Sequence, residues 1–181
     1  MAVYTDITDE ELALLLADFD LGTAVAFKGV AEGVENSNFM LETTVGRYFL
    51  TVYEKRMKAE ELPFFLDLMR WLAQHDYPCA SPVADRNGQT IKHVRGKLAA
   101  IIEFLPGLSV RRPTAAHCRE AGEGLARLHL AAQGFPGTRA PALGQAAWAP
   151  LFATLKDDAE ALKPGLAATI NADLDRLAKA W

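Results

Sequence analysis

The chain has 181 residues, of which 50% are hydrophobic and 23% charged, enough apolar material for a packed core, so a mostly disordered chain is excluded. Its 19 basic and 23 acidic residues leave a net charge of −4, which excludes the basic balance of a general nucleic-acid binder. No apolar run approaches the roughly 18 residues of a membrane span, and Met1-Ala2-Val3-Tyr4-Thr5-Asp6 has neither the basic nor the apolar region of a secretory signal. Cys79 and Cys118 form no CxxC pair. The expectation is a cytoplasmic protein whose two thiols are reduced, inert apolar fillers.

Thr8 followed by Glu11 is a capping box that opens a helix through Asp18, with Leu12, Leu15 and Leu16 on one face and Leu21-Gly22 as its stop. From Ala24 the period changes to that of strands. Segments 24–30, 39–43 and 47–53 read as an antiparallel meander, with a polar bend at 31–38 and a turn at Thr44-Val45-Gly46. Leu62, Phe65, Leu66, Met69 and Leu72 then recur at helical spacing over 60–75, with Pro63 placed where only a first turn tolerates it. Asn87-Gly88 predicts a hairpin between 83–86 and 90–93, and 98–105 reads as an interior strand.

Pro106-Gly107 is the one hinge signal, and every later periodic segment is helical: 114–132, with Ala121, Leu125, Leu128 and Ala132 inward, then 150–162 and 166–181. Strands with one main helix, then a hinge, then helices alone predict an α+β, two-lobe architecture divided into 1–105 and 106–181. Ile170, Leu174, Leu177 and Trp181 form an apolar stripe that no glycine or proline stops. The second lobe is therefore expected to be incomplete.

Few chemical motifs are present. GxxxxGK[ST], HExxH, GxSxG and a Cys/His cluster are all missing, and the four histidines are scattered, with His129 expected to be packed. The bend Gly33-Val34-Glu35-Asn36-Ser37-Asn38 has glycine for close backbone approach and neutral side-chain donors, a combination that can cradle phosphate oxygens. The same residues also make ordinary polar turns. Glu103-Phe104-Leu105 leads from the strand to the hinge, where exposed backbone can read the edge of a flat base or simply connect two lobes. Glu60 and Glu61 can orient a cation or complement the helix dipole.

In this order the pieces resemble the small-molecule kinases related to choline and aminoglycoside kinases, which share the protein-kinase-like fold. Within that superfamily the wording is most similar to the homoserine kinases. The resemblance is carried by Glu32 to Phe39, Leu50 to Arg56, Leu62-Pro63-Phe64-Phe65, Asp85-Arg86-Asn87-Gly88, Gly96-Lys97, Phe104 to Gly107, His117-Cys118 and Leu125 to His129. It implies transfer of the ATP γ-phosphate to the hydroxyl of L-homoserine, with ATP and Mg²⁺ required. By that likeness Gly33, Glu35, Asn36, Ser37 and Asn38 would cover the phosphates. Glu103 and Leu105 would offer backbone groups to adenine, between apolar walls such as Val30 and Leu50.

Two departures stand out. Relatives hold the phosphates with a lysine or arginine on the third strand, and here that position is Thr51, a threonine the homoserine kinases share, with Lys55 and Arg56 further on and the phosphate-pairing cation unassigned. The family's His-x-Asp-x-x-x-x-Asn loop and later Asp motif, which would supply the catalytic carboxylate and the metal ligands, have no match. Asp18-Phe19-Asp20 and Asn171-Ala172-Asp173 imitate them at the wrong places. The catalytic loop is expected beyond Trp181, leaving this chain with weak nucleotide binding and no turnover. A non-catalytic nucleotide-binding or interaction module, or a kinase for another small alcohol such as choline or an aminoglycoside, would share many of these features.

Overall fold

The structure is a computed structural model that describes residues 4–31, 33, 35–54 and 57–180. Glu32, Val34, Lys55, Arg56 and Trp181, all named above, lie outside the described residues. The chain forms two compact units that divide at Gly137/Thr138.

The first unit opens with α1 (Asp9–Leu16), whose capping box forms as expected: Glu11 N–H donates to Thr8 Oγ1 and Thr8 N–H to the Glu11 carboxylate. The helix ends six residues before Gly22, because a turn at 17–21 intervenes and Phe19 and Leu21 are buried there. Next come β1 (Ala24–Val30), β2 (Ser37–Thr43) and β3 (Arg47–Val52), then α2 (Leu62–Gln74), β4 (Lys92–Val94) and β5 (Lys97–Glu103). They make one antiparallel sheet in the order β1-β2-β3-β5-β4. The meander is as expected, except that β2 begins two residues early and takes Ser37 and Asn38 out of the bend. Pro63 sits in the first turn of α2, where its missing N–H costs nothing.

The expected hairpin around Asn87-Gly88 is corrected. Gly88 does turn with φ +79°, and Asp85 N–H donates to the Gln89 carbonyl, but the flanking segments do not pair as strands. The hairpin is β4–β5, turned by Arg95-Gly96, both at positive φ. The 85–89 turn docks instead on the end of α1. Arg86 donates to the carbonyls of Ala17 (2.7 Å) and Phe19 (3.0 Å) and to Asp20 (2.7 Å), while Lys92 bridges Asp18 and Asp85. Asp18-Phe19-Asp20 is thus a structural tie.

The period of two divides the sheet into two faces. Phe39, Leu41, Leu50, Val52, Ala99 and Ile101 pack with α1 residues Leu12, Leu15 and Leu16 in one core. Ala100 and Ile102 pack on the other face against Leu62 and Leu66 of α2. Beyond the sheet, α3 (Ala115–Ala131) starts at a second capping box, Thr114 with His117. Its expected inner face is not buried: Ala121 and Leu125 are exposed, Leu125 at 55%, and Leu128 and Ala132 are half-buried.

The second unit holds α4 (Gln145–Ala153), α5 (Lys156–Leu162) and α6 (Leu166–Ala180). Pro150 lies inside α4 and does not start it, and the expected single helix over 150–162 is broken at Thr154-Leu155. Glu160 accepts the backbone N–H of Gly165 (2.8 Å) and Ala167 (3.3 Å) at the start of α6. Asp173 pairs with Arg176 one turn along that helix, so Asn171-Ala172-Asp173 is helical surface. Within the stripe, Ile170, Leu174 and Leu177 are half-buried.

Candidate functional site

Strand register brings three of the expected residues into one row. Val30 faces Asn38 across β1–β2, Asn38 faces Thr51 across β2–β3, and Thr51 faces Ala100 across β3–β5. The row lies on the α2 face, opposite the core packed by α1. Thr51 Oγ1 donates to Asn38 Oδ1 at 2.9 Å. In this arrangement the Asn38 amide turns its Oδ1 end to Thr51. The Nδ2 end is left toward the bend, 3.6 Å from where a Cβ on Gly33 would sit. Gly33 itself has φ +103°, a region that L side chains rarely adopt. Space would admit a methyl group there; the backbone is what calls for glycine.

The other bend residues are placed differently. Glu35 is exposed and Asn36 half-buried, its Oδ1 accepting the Glu54 amide at 3.4 Å. Ser37, expected to meet phosphate, is fully buried on the α1 face. Its Oγ accepts the N–H groups of Tyr4 (2.8 Å) and Thr5 (3.0 Å) and donates to Glu54 (2.7 Å). That hydroxyl is spent inside the protein, and nothing in the local sequence announces the amino-terminal segment that covers it.

Leu50 requires correction as a ring wall. It alternates with Thr51, is fully buried, and sits between Phe39 and Ile101 in the α1-side core. Adjacent strand residues point to opposite faces, so Leu50 and Thr51 cannot both meet one ligand. The apolar side chains on the Thr51 face belong to the next row: Met40 facing Phe49, and Phe49 facing Ile102. Phe49 is half-buried and stacks on Phe104 at 5.6 Å, and Arg47 lies 4.5 Å over the Phe104 ring. Sequence reading missed Phe49, although strand alternation counted from Thr51 would have found it.

At the end of β5 the Glu103 N–H already donates to the Ser81 carbonyl (2.9 Å), and its carboxylate accepts the Ser81 N–H (3.2 Å). Any part it takes with a ligand falls to its carbonyl. Leu105 lies just past the sheet and is 48% exposed. Glu61 occupies the helix N-cap position of α2 without a side-chain capping bond.

Among the described residues, the lysine nearest in sequence to the start of β5, Lys97, belongs to the α1 face and pairs with Glu54, away from Thr51. No group of three or more His, Cys, Asp or Glu able to hold a metal occurs among the described residues. A groove of about 960 Å³ between α1 and β1, lined by Leu12, Leu16, Phe19 and Phe27, lies on the face opposite Asn38 and Thr51. No described helix is long and apolar enough to cross a membrane. His129 is exposed near the end of α3, not packed, and Cys118 is exposed, so only half-buried Cys79, whose thiol burial pushes up, fits the filler role.

Residues 26–181 match the phosphotransferase enzyme family (APH). Over 181 residues the chain is 70% identical to the homoserine kinase of Caulobacter sp. (strain K31), 68% to that of Phenylobacterium zucineum and 65% to that of Caulobacter vibrioides. These alignments take in 100% of this chain but 57%, 56% and 57% of those proteins, so the chain spans a little over half the length of the curated relatives it matches.

Proposed function

The chain belongs to the phosphotransferase enzyme family, and from that premise we propose that it forms the nucleotide-holding part of an ATP-dependent kinase whose acceptor is L-homoserine. In this reading 1–105 is the nucleotide lobe and 106–181 the beginning of a helical lobe. Gly33, Asn38 and the backbone of the bend meet the triphosphate. Phe49 and Met40 stand in for Leu50 as the wall beside adenine, with Val30 at the edge, while the Glu103 carbonyl and the Leu105 backbone meet the base. The observation that carries the proposal is the Val30–Asn38–Thr51 row, which aims a neutral N–H donor at a left-handed glycine. The relatives' shared name supports homoserine over choline or an aminoglycoside as acceptor.

Catalysis needs a carboxylate to orient the attacking hydroxyl, and the 181-residue chain has no His-x-Asp-x-x-x-x-Asn pattern. The chain alone is therefore assigned nucleotide binding without turnover. Two measurements test this. ATP–Mg²⁺ should raise the midpoint of thermal unfolding, because a ligand of the native state stabilises it. Homoserine should elicit no ADP release from the pure chain. An unchanged midpoint at saturating nucleotide would remove the nucleotide assignment, and homoserine-dependent ADP release would remove the assignment of no turnover.

A further inference from the structure

Glu54 follows β3 by two residues, and its side chain is only 8% exposed. A carboxylate so placed is costly unless donors surround it. Three do: Thr5 Oγ1 at 2.6 Å, Ser37 Oγ at 2.7 Å and the Lys97 ammonium. Lys97 also donates to Thr5 Oγ1 at 2.7 Å, closing the ring of contacts. Burial alone would raise the Glu54 carboxyl, but hydrogen bonds from Lys97, Thr5 and Ser37 outweigh it and hold it below the usual carboxylate range. The group is charged at neutral pH, and Lys97 neutralises it.

The backbone of the same residue is engaged as well. The Glu54 N–H donates to Asn36 Oδ1 at 3.4 Å, while its carboxylate takes the hydroxyl of Ser37. Asn36 of the bend and Ser37 at the start of β2 therefore both end on one residue just past β3. Ser37 has no hydrogen-bonding capacity left over: it gives its one hydrogen to Glu54 and accepts from Tyr4 and Thr5. A fully satisfied polar cluster of this kind holds a single geometry. Directly after it in β2 comes Asn38, whose amide faces Gly33.

We propose that Glu54 is a positioning residue that fixes Asn36 and Ser37 from beneath, and through them the Asn38 amide beside Gly33, holding these groups ready for an anionic phosphate chain. This rests on the nucleotide reading given above. The division of labour is electrostatically consistent. The carboxylate stays on the α1 side of the sheet, paired with Lys97, and the Asn38 amide presents its neutral N–H donors on the other side. Thr5 and Tyr4 make the amino-terminal segment part of the same support.

The experiment compares isothermal binding of ATP–Mg²⁺ and of adenosine to the wild-type chain, Glu54→Gln and Arg86→Met. The Arg86 variant loosens the far end of the same unit and controls for general destabilisation. A bend no longer held in its binding geometry loses affinity in proportion to the lost competent fraction. Glu54→Gln is expected to bind ATP about five- to tenfold more weakly while adenosine affinity stays within about twofold. Arg86→Met should match the wild type for both ligands. Equal weakening of ATP and adenosine in Glu54→Gln, or none for ATP, overturns the role of Glu54 while leaving the nucleotide reading intact. Failure of the wild-type chain to bind ATP overturns both.

Discussion

Phe49 and Leu50 are successive residues on opposite faces of β3, and replacing each by alanine separates the fold from the ligand. Leu50 is fully buried between Phe39 and Ile101, on a strand paired along both edges. Backbones fixed on both sides cannot close over a void, which places Leu50→Ala in the middle of the range for buried leucines, about 3–4 kcal/mol. In a unit of this size each kcal/mol lowers Tm by roughly 3–5 °C, giving a fall of about 9–20 °C. Phe49 is half-buried and stacks on Phe104, so Phe49→Ala should cost only about 1–2 kcal/mol of stability. A base stacked on an aromatic ring is worth about 1–3 kcal/mol, so ATP affinity should fall about five- to 150-fold. Thermal unfolding followed by circular dichroism and ATP titration well below Tm measure the two quantities separately. The face assignment is refuted if Leu50→Ala keeps its Tm and loses ATP, or if Phe49→Ala binds ATP as the wild type does.

Four further outcomes can be checked. Arg86→Met removes three side-chain bonds that tie the 85–89 turn to the end of α1; because the side chain is 56% exposed, urea unfolding should register a loss of about 1–2 kcal/mol. Burial pushes the Tyr53 hydroxyl up to about 12 from its usual 10.0. The folded state thus favours the neutral phenol, and its stabilising effect is full below pH 10 and lost as pH rises toward 12, so ultraviolet titration should show one late phenol that Tyr53→Phe abolishes. Gly33→Ala must hold φ +103°, and at roughly 1–2 kcal/mol of strain it should weaken ATP binding more than it lowers Tm. Thr51→Val keeps shape but removes the donor to Asn38; ATP should bind about fivefold more weakly, by calorimetry, while Thr51→Ser binds normally, since one such bond is worth about 1 kcal/mol.

What the sequence disclosed was what local chemistry decides. Thr8 and Glu11 close their capping box within one turn, Pro63 takes the one helical position that spares its missing N–H, and β-branched and aromatic runs mark the meander. Asn87-Gly88 turned as its φ preference requires, yet its strands found no partners in each other. Arg86 is anchored to the turn that follows α1, some 66 to 69 residues earlier, and β5 takes β4 as its edge partner. Ser37 is a turn-former by type and became a buried strand residue because Tyr4 and Thr5, 33 and 32 residues away, supply its donors. Pro150 shows the weakness of a single breaker: the helix absorbs it, and the break comes at Thr154-Leu155.

The replacement of a strand lysine by Thr51 has a physical sense once the partners are known. A lysine brings a mobile point charge on a long stem. Thr51 brings no charge, but its hydrogen bond orients the Asn38 amide, and a preorganised dipole needs no reordering when the ligand arrives. Under the nucleotide proposal, donors of fixed direction contribute to attraction, so support of the bend matters there. In the proposed nucleotide reading, Gly33 would supply the backbone path, Asn38 the direction, and Glu54 the rigidity from the opposite face. Under that proposal, affinity at the bend should depend on the integrity of the cluster beneath it.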